Sequence, residues 1–134
     1  MAGDVVDSVV LETTPAYYKV RLTNVSDGTG ESAVAKIDKS GLTDKNGAEP
    51  RRLVVMYMKW SIQGFTSVRL FFDHTTDDEL AVLANNGERD YSADGGFKDP
   101  GSSGGTGDIL LTTAGAVSGA TYDIELIVRL DPKK

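Results

Sequence analysis

His74 is the single histidine among 134 residues, and there is no cysteine. It follows the aromatic run Leu70-Phe71-Phe72-Asp73 and stands close to Asp77 and Asp78. That setting suggests either a metal or general-base site, or a polar residue where a strand leaves the core. Zinc sites draw on several imidazole or thiolate ligands, and one such group argues for the strand-exit reading. Serine chemistry finds no better footing. The one Gly-x-Ser-x-Gly spacing, Gly101-Ser102-Ser103-Gly104-Gly105, lies in a glycine-rich stretch poorly suited to the rigid positioning of a nucleophile elbow, and only one histidine could act as its base. No enzyme is expected.

Two other patterns carry oxygen ligands. Asp90-Tyr91-Ser92-Ala93-Asp94-Gly95 places oxygens at alternate positions before a turn glycine, like the opening of a calcium loop. Asp90, Ser92 and Asp94 are therefore a calcium candidate, but position twelve is Gly101 instead of a bidentate carboxylate, and an ordinary acidic turn fits as well. The carboxylate pairs Asp77-Asp78 and Asp123/Glu125 have glycosidase chemistry, yet both fit a solvated turn or strand face. The glycine-rich 94–107 segment lacks the Gly-Lys-Ser/Thr ending of a phosphate loop, and reads as a mobile surface connector or contact loop. Trp60, Tyr57 and Tyr91 have the rings to stack on a sugar, but Trp60 shares an apolar row with Met56 and Met58, which favours core packing. No cofactor or metal is expected.

The elements that would hold these residues are strands. Tyr17 to Val25 alternates, with Tyr18, Val20 and Leu22 opposite Lys19, Arg21 and Thr23. Ser32 to Asp38 is a weaker strand. Arg52 to Gln63 is the strongest: Val54, Met56, Met58, Trp60 and Ile62 form one row, and the other begins apolar and ends polar. This strand is expected to start buried on both faces and emerge toward solvent. Ser67 to Asp73 follows, as a hairpin closed over residues 63–66. Thr75 to Asn85 is the only helix candidate, with acidic residues where a helix N-terminus favours them, and is equally readable as a short strand around Leu80 to Leu83. Asp108 to Thr113 and Thr121 to Leu130 complete the set, the last almost fully alternating.

With Asp4 to Thr13 as a first strand, the count is about seven or eight. The expected fold is one all-β domain over residues 1–134, a β-sandwich of jelly-roll type, with immunoglobulin-like order as the alternative. The net charge of −6 and pI near 4.7 disfavour nucleic acid and anionic membranes. The basic pairs are only Arg51-Arg52 and Lys133-Lys134. Residues 1–10 read as neither a signal peptide nor a membrane span, which is the composition of a domain folded in a cytoplasm.

Residues 107–115 (GDILLTTAG) followed by 120–129 (ATYDIELIVR) resemble the closing pair of strands in small structural proteins of tailed bacteriophages. Met58 to Ile62 followed by Val68 to Asp73 resembles their central hairpin. Together these stretches cover 30 of the 134 residues. The resemblance implies a virion component, a decoration or cement protein on the capsid exterior, assembled in the host cytoplasm. It further implies the major capsid protein as partner and a homotrimer that grips several capsid subunits. Residues 1–13 are then expected to order only on the capsid, with Val5, Val6, Val9, Val10 and Phe97 as contact residues. A head–tail connector, tail or fibre-tip protein and a carbohydrate-binding jelly-roll remain as alternatives.

Overall fold

The computed structural model describes residues 5–14, 16–44, 46–100 and 104–131. Ten strands run β1 (Val5–Thr13), β2 (Tyr17–Asp27), β3 (Val34–Ile37), β4 (Arg52–Gln63), β5 (Ser67–Phe72), β6 (Asp78–Leu83), β7 (Asn86–Asp90), β8 (Phe97–Lys98), β9 (Ile109–Ala114) and β10 (Ser118–Asp131). They form two antiparallel sheets. One is ordered β1-β2-β10-β4-β7, with the short β8 also paired to β4, and the other β3-β9-β5-β6.

Setting β1 and β8 aside leaves two four-stranded sheets, β2-β10-β4-β7 and β3-β9-β5-β6, between which the chain passes repeatedly. This is the jelly-roll order, two Greek keys folded face to face. Inward residues of both sheets meet in one core: Val20 and Leu22 from β2, Leu70 and Phe72 from β5, Ile109 and Leu111 from β9, and Tyr122 through Leu130 at alternate positions of β10. The alternation of β2 and β10 follows from one wet face and one packed face.

Several expectations need correction. Residues 63–66 do not close a hairpin, because β4 and β5 lie in different sheets. The link is a corner: Gly64 has φ +86° and approaches Ala120 so closely that a Cβ would stand 2.8 Å from the alanine's own, while Phe65 packs its ring near Tyr122. The last two strands, β9 and β10, are likewise split between the sheets. A short turn with glycine serves a hairpin or a sheet-to-sheet corner equally, so spacing alone does not separate them.

The apolar row of β4 is not continuous. The pairing of β4 with β10 shifts between Tyr57 and Val55, opposite Ile127 and Val128, so Met56 is an extra residue in the ladder. Such a bulge reverses the in/out phase. Leu53 and Val55 face the core before it, Met58 and Ile62 after it, with Trp60 packed alongside. Val54 is nevertheless fully buried, because the 96–98 backbone covers it: a Cβ on Gly96 would lie 2.3 Å from Val54 Cγ1. The strand does begin buried on both faces and end wet.

Residues 78–83 are strand, not helix; their buried pattern places Leu80 and Leu83 inward, with a register shift opposite Leu70/Phe71. That bulge spaces the two leucines three apart and imitates helical periodicity. Residues 94–107 are not a free connector where they are described. They contain a 3₁₀ turn ending at Asp94, β8, the buried Asp99 and the buried Gly107. Ser102 and Ser103 lie outside the described residues, as do residues 1–4 and the pair Lys133-Lys134. Among the described residues no helix is long and apolar enough to cross a membrane.

Candidate functional site

Two features stand out above the scaffold: the β1 edge and a polar cluster at the β5–β6 end of the sandwich. Among the described residues β1 ends the larger sheet and pairs only with β2. It is therefore a strand in this chain alone, which replaces the expectation that residues 1–13 order only on a partner. Val10 pairs with Val20, so the two share a face; Val20 is fully buried, yet Val10 is 49% exposed. The sheet thus overhangs its companion at β1. Val9, on the opposite face, is 43% exposed and Leu11 is 45% exposed. Of Val5 and Val6 only the backbone is described, paired with Val25 and Asn24.

Phe97 is placed differently from the other expected contact residues. It pairs with the core-facing Val55, stacks at 6.3 Å on Phe72 and meets the Tyr91 ring edge-on at 5.6 Å. Its ring is used in packing, and it leaves the set of exposed anchors.

The polar cluster forms where β5, β6 and the segment after β8 converge. His74 follows β5, Asp78 opens β6, and Asp99 follows β8. The His74 Nε2 lies 2.6 Å from Oδ1 of Asp99 and 3.8 Å from Oδ2 of Asp78. Nδ1 lies 2.9 Å from the Gly104 carbonyl oxygen. Both His74 and Asp99 side chains are more than nine-tenths buried. Each ring nitrogen faces an oxygen acceptor, so the geometry assigns a proton to both. Burial works against that cationic form, but the Gly104 carbonyl and the Asp99 and Asp78 carboxylates outweigh it and raise the imidazole pKa above its usual value.

The loop after residue 103 is shaped to reach this ring. Gly104 has φ +75° and Gly105 φ +68°; a Cβ on Gly105 would stand 2.3 Å from the Asp73 carbonyl oxygen. Gly107 N donates to that same carbonyl at 2.9 Å, and Thr106 Oγ1 donates to Asp73 Oδ2 at 2.9 Å. The glycines therefore permit close contact. Sequence reading linked His74 to its neighbours Asp73, Asp77 and Asp78 but missed Asp99, 25 residues on. The only local signal was an aspartate beside Pro100 in a stretch otherwise read as connector.

The calcium candidate is a self-contained turn. Asp90 Oδ1 accepts from Ser92 N at 2.9 Å and Ser92 Oγ at 2.5 Å, and these bonds hold the exposed Asp90 carboxyl below its ordinary pKa. Asp94 is the last residue of the 3₁₀ turn, which Gly95, in the left-handed region, closes by donating its N–H to the Ser92 carbonyl at 3.2 Å; the Asp94 side chain is outside the described residues. Trp60 pairs with Ile124 and with Gly87. Its ring covers that glycine, and its indole N–H donates to the Ala84 carbonyl at 3.1 Å. Trp60 is a packing residue, as its apolar row implied. On the wet face, Asp123 is held by a two-pronged Arg21 contact at 2.9 and 2.7 Å.

No family model matches the chain, and no curated protein matches it.

Proposed function

We propose that this chain is a non-catalytic attachment module, a decoration protein of a tailed-phage capsid that docks through the β1 edge. The observation that carries the reading is the overhang itself: a nine-residue edge strand whose Val9, Val10 and Leu11 are exposed on both faces. Long apolar edges invite pairing with another chain, and natural proteins usually blunt them with lysine, proline or a covering loop. Here, apart from a bulge between Val10 and Glu12, the outer side of β1 has no partner strand among the described residues, which leaves it open to strand addition with aliphatic anchors beside it.

Three further features support it. The sequence resembles small phage structural proteins over the stretches that become β4, β5, β9 and β10. The jelly-roll is a fold used by viral capsid and lectin domains, which is analogy and weighs accordingly. Of the three rings that a saccharide reading would use, Trp60 lies over Gly87 and Tyr91 meets Phe97, while Tyr57 donates its hydroxyl to Glu88.

Electron cryo-microscopy of purified particles carrying this chain tests the proposal. Density for the sandwich on the capsid facets, with β1 against the shell, is the expected result. Density at the neck or tail moves the chain to a connector or tail role, and absence from particles overturns the reading. Light scattering of the purified chain separately tests the trimer.

A further inference from the structure

We propose that His74, Asp78 and Asp99 form a binding site for a first-row divalent cation of the zinc or manganese type. One ligand atom from each residue lies within 4.8 Å of the other two, and Nε2 faces Oδ1 of Asp99 and Oδ2 of Asp78. Each comes from a different element, so the site fastens the exit of β5, the start of β6 and the segment after β8 to one point.

Three observations carry the assignment. First, the His74 Nδ1 is committed to the Gly104 carbonyl, which aims Nε2 at the carboxylates. Metal-bound histidines are oriented in this way, the second nitrogen donating to a backbone carbonyl or carboxylate. Second, Oδ2 of Asp78 is buried without a hydrogen-bond partner, an arrangement that ordinarily costs free energy. A proton on Nε2 serves Asp99 and leaves this oxygen beyond reach at 3.8 Å. A cation serves all three atoms at once. Third, the spacing suits it. Metal–ligand bonds of about 2.0–2.1 Å at tetrahedral angles place ligands about 3.3 Å apart. The observed 2.6 and 3.8 Å lie on either side of that value, so adjustments under ~1 Å bring both carboxylates into place.

The donor set selects the ion. One imidazole and two carboxylates carry a charge of about −2 with the ring neutral, matching a divalent ion, and imidazole nitrogen favours zinc, nickel or copper while carboxylates also suit manganese. Calcium asks for six to eight oxygens, which two carboxylates do not approach. Water would fill the remaining position.

Because His74 is the sole histidine, its ring protons give an unambiguous signal. Titrating the intact chain with Mn²⁺ is expected to broaden the His74 resonances selectively at micromolar additions. Isothermal titration with Zn²⁺ at pH 7.5 is expected to give one site, with a rise in Tm that follows ligand concentration. Asp78→Asn leaves every observed hydrogen bond of His74 and Asp99 in place, and is expected to weaken Zn²⁺ binding at least tenfold. Sharp His74 lines at millimolar Mn²⁺ overturn the site, as does an Asp78→Asn chain that binds Zn²⁺ like the wild type. The wild-type titration decides the matter even if a variant folds poorly.

Discussion

The Tyr122 hydroxyl donates to Oε1 of Glu31 at 2.5 Å, joining residues 91 positions apart. Glu31 stands in the connection between β2 and β3, and it is the hub of a buried polar group. Its other oxygen accepts from Lys36 Nζ at 2.5 Å, Asn24 Nδ2 donates to Oε1 at 2.9 Å, and Lys36 and Glu31 are only 5% and 7% exposed. Breaking a buried pair from one side leaves an uncompensated charge and costs about 3–5 kcal/mol. Glu31→Ala is therefore expected to lose about that much in urea unfolding. Adding Lys36→Met should recover a good part of the loss; a double variant no better than the single removes the charge-pair explanation.

Gly105 and Gly95 separate two reasons for a glycine. Both have positive φ, but a Cβ on Gly105 would strike the Asp73 carbonyl at 2.3 Å, whereas nothing lies within 4 Å of one on Gly95. Gly95→Ala is expected to cost only the backbone strain, about 1 kcal/mol. Gly105→Ala adds a clash with rigid backbone and should cost about 3 kcal/mol or more, with faster amide exchange at Gly107. Equal losses at the two positions would contradict the close-contact account of the 104–107 segment.

These contrasts explain what could be read from the chain alone. β2 and β10 announce themselves because each has one wet and one packed face, so Tyr18 to Leu22 and Tyr122 to Leu130 alternate without interruption. β4 and β6 mislead because bulges at Met56 and beside Leu70 shift the phase, and a bulge leaves no mark in residue type. β7 carries Asn86-Gly87-Glu88-Arg89-Asp90, mostly exposed, so it has no apolar period to detect. The His74–Asp99 contact depends on how two loops meet, a property of the tertiary fold. The β1 edge was placed correctly as a strand candidate, but its order in the isolated chain comes from pairing with β2, which local sequence does not encode.

Val9→Lys and Val10→Lys test the edge. Both positions are more than two-fifths exposed, and substitutions at such sites usually change stability by under about 0.5 kcal/mol. Thermal melting is therefore expected to stay near wild type, while co-sedimentation with capsid shells is lost, since a lysine on an edge strand discourages pairing. Retained co-sedimentation with both lysines present would remove β1 as the docking element.

Asp131 closes the sandwich at the far end of β10 and sets an acid limit on its stability. Burial alone would raise its pKa, but Arg52 Nε donates to Oδ2 at 2.7 Å and Arg129 Nε to Oδ1 at 3.0 Å, and together they hold the carboxyl below its ordinary value. A carboxyl depressed in the folded state stabilises the protein fully above its unfolded pKa of about 3.9, and that contribution vanishes as pH falls through the folded value. Asp131→Asn removes the ion pairs at every pH, so it is expected to be less stable than wild type at pH 7. The gap should then narrow on going to pH 3 and below, where the wild-type carboxyl takes up its proton as well. Urea unfolding of both chains at pH 7, 4 and 2.5 measures this directly. A gap that stays constant or widens toward acid would mean that Asp131 is not the group whose protonation loosens this end of the sheet.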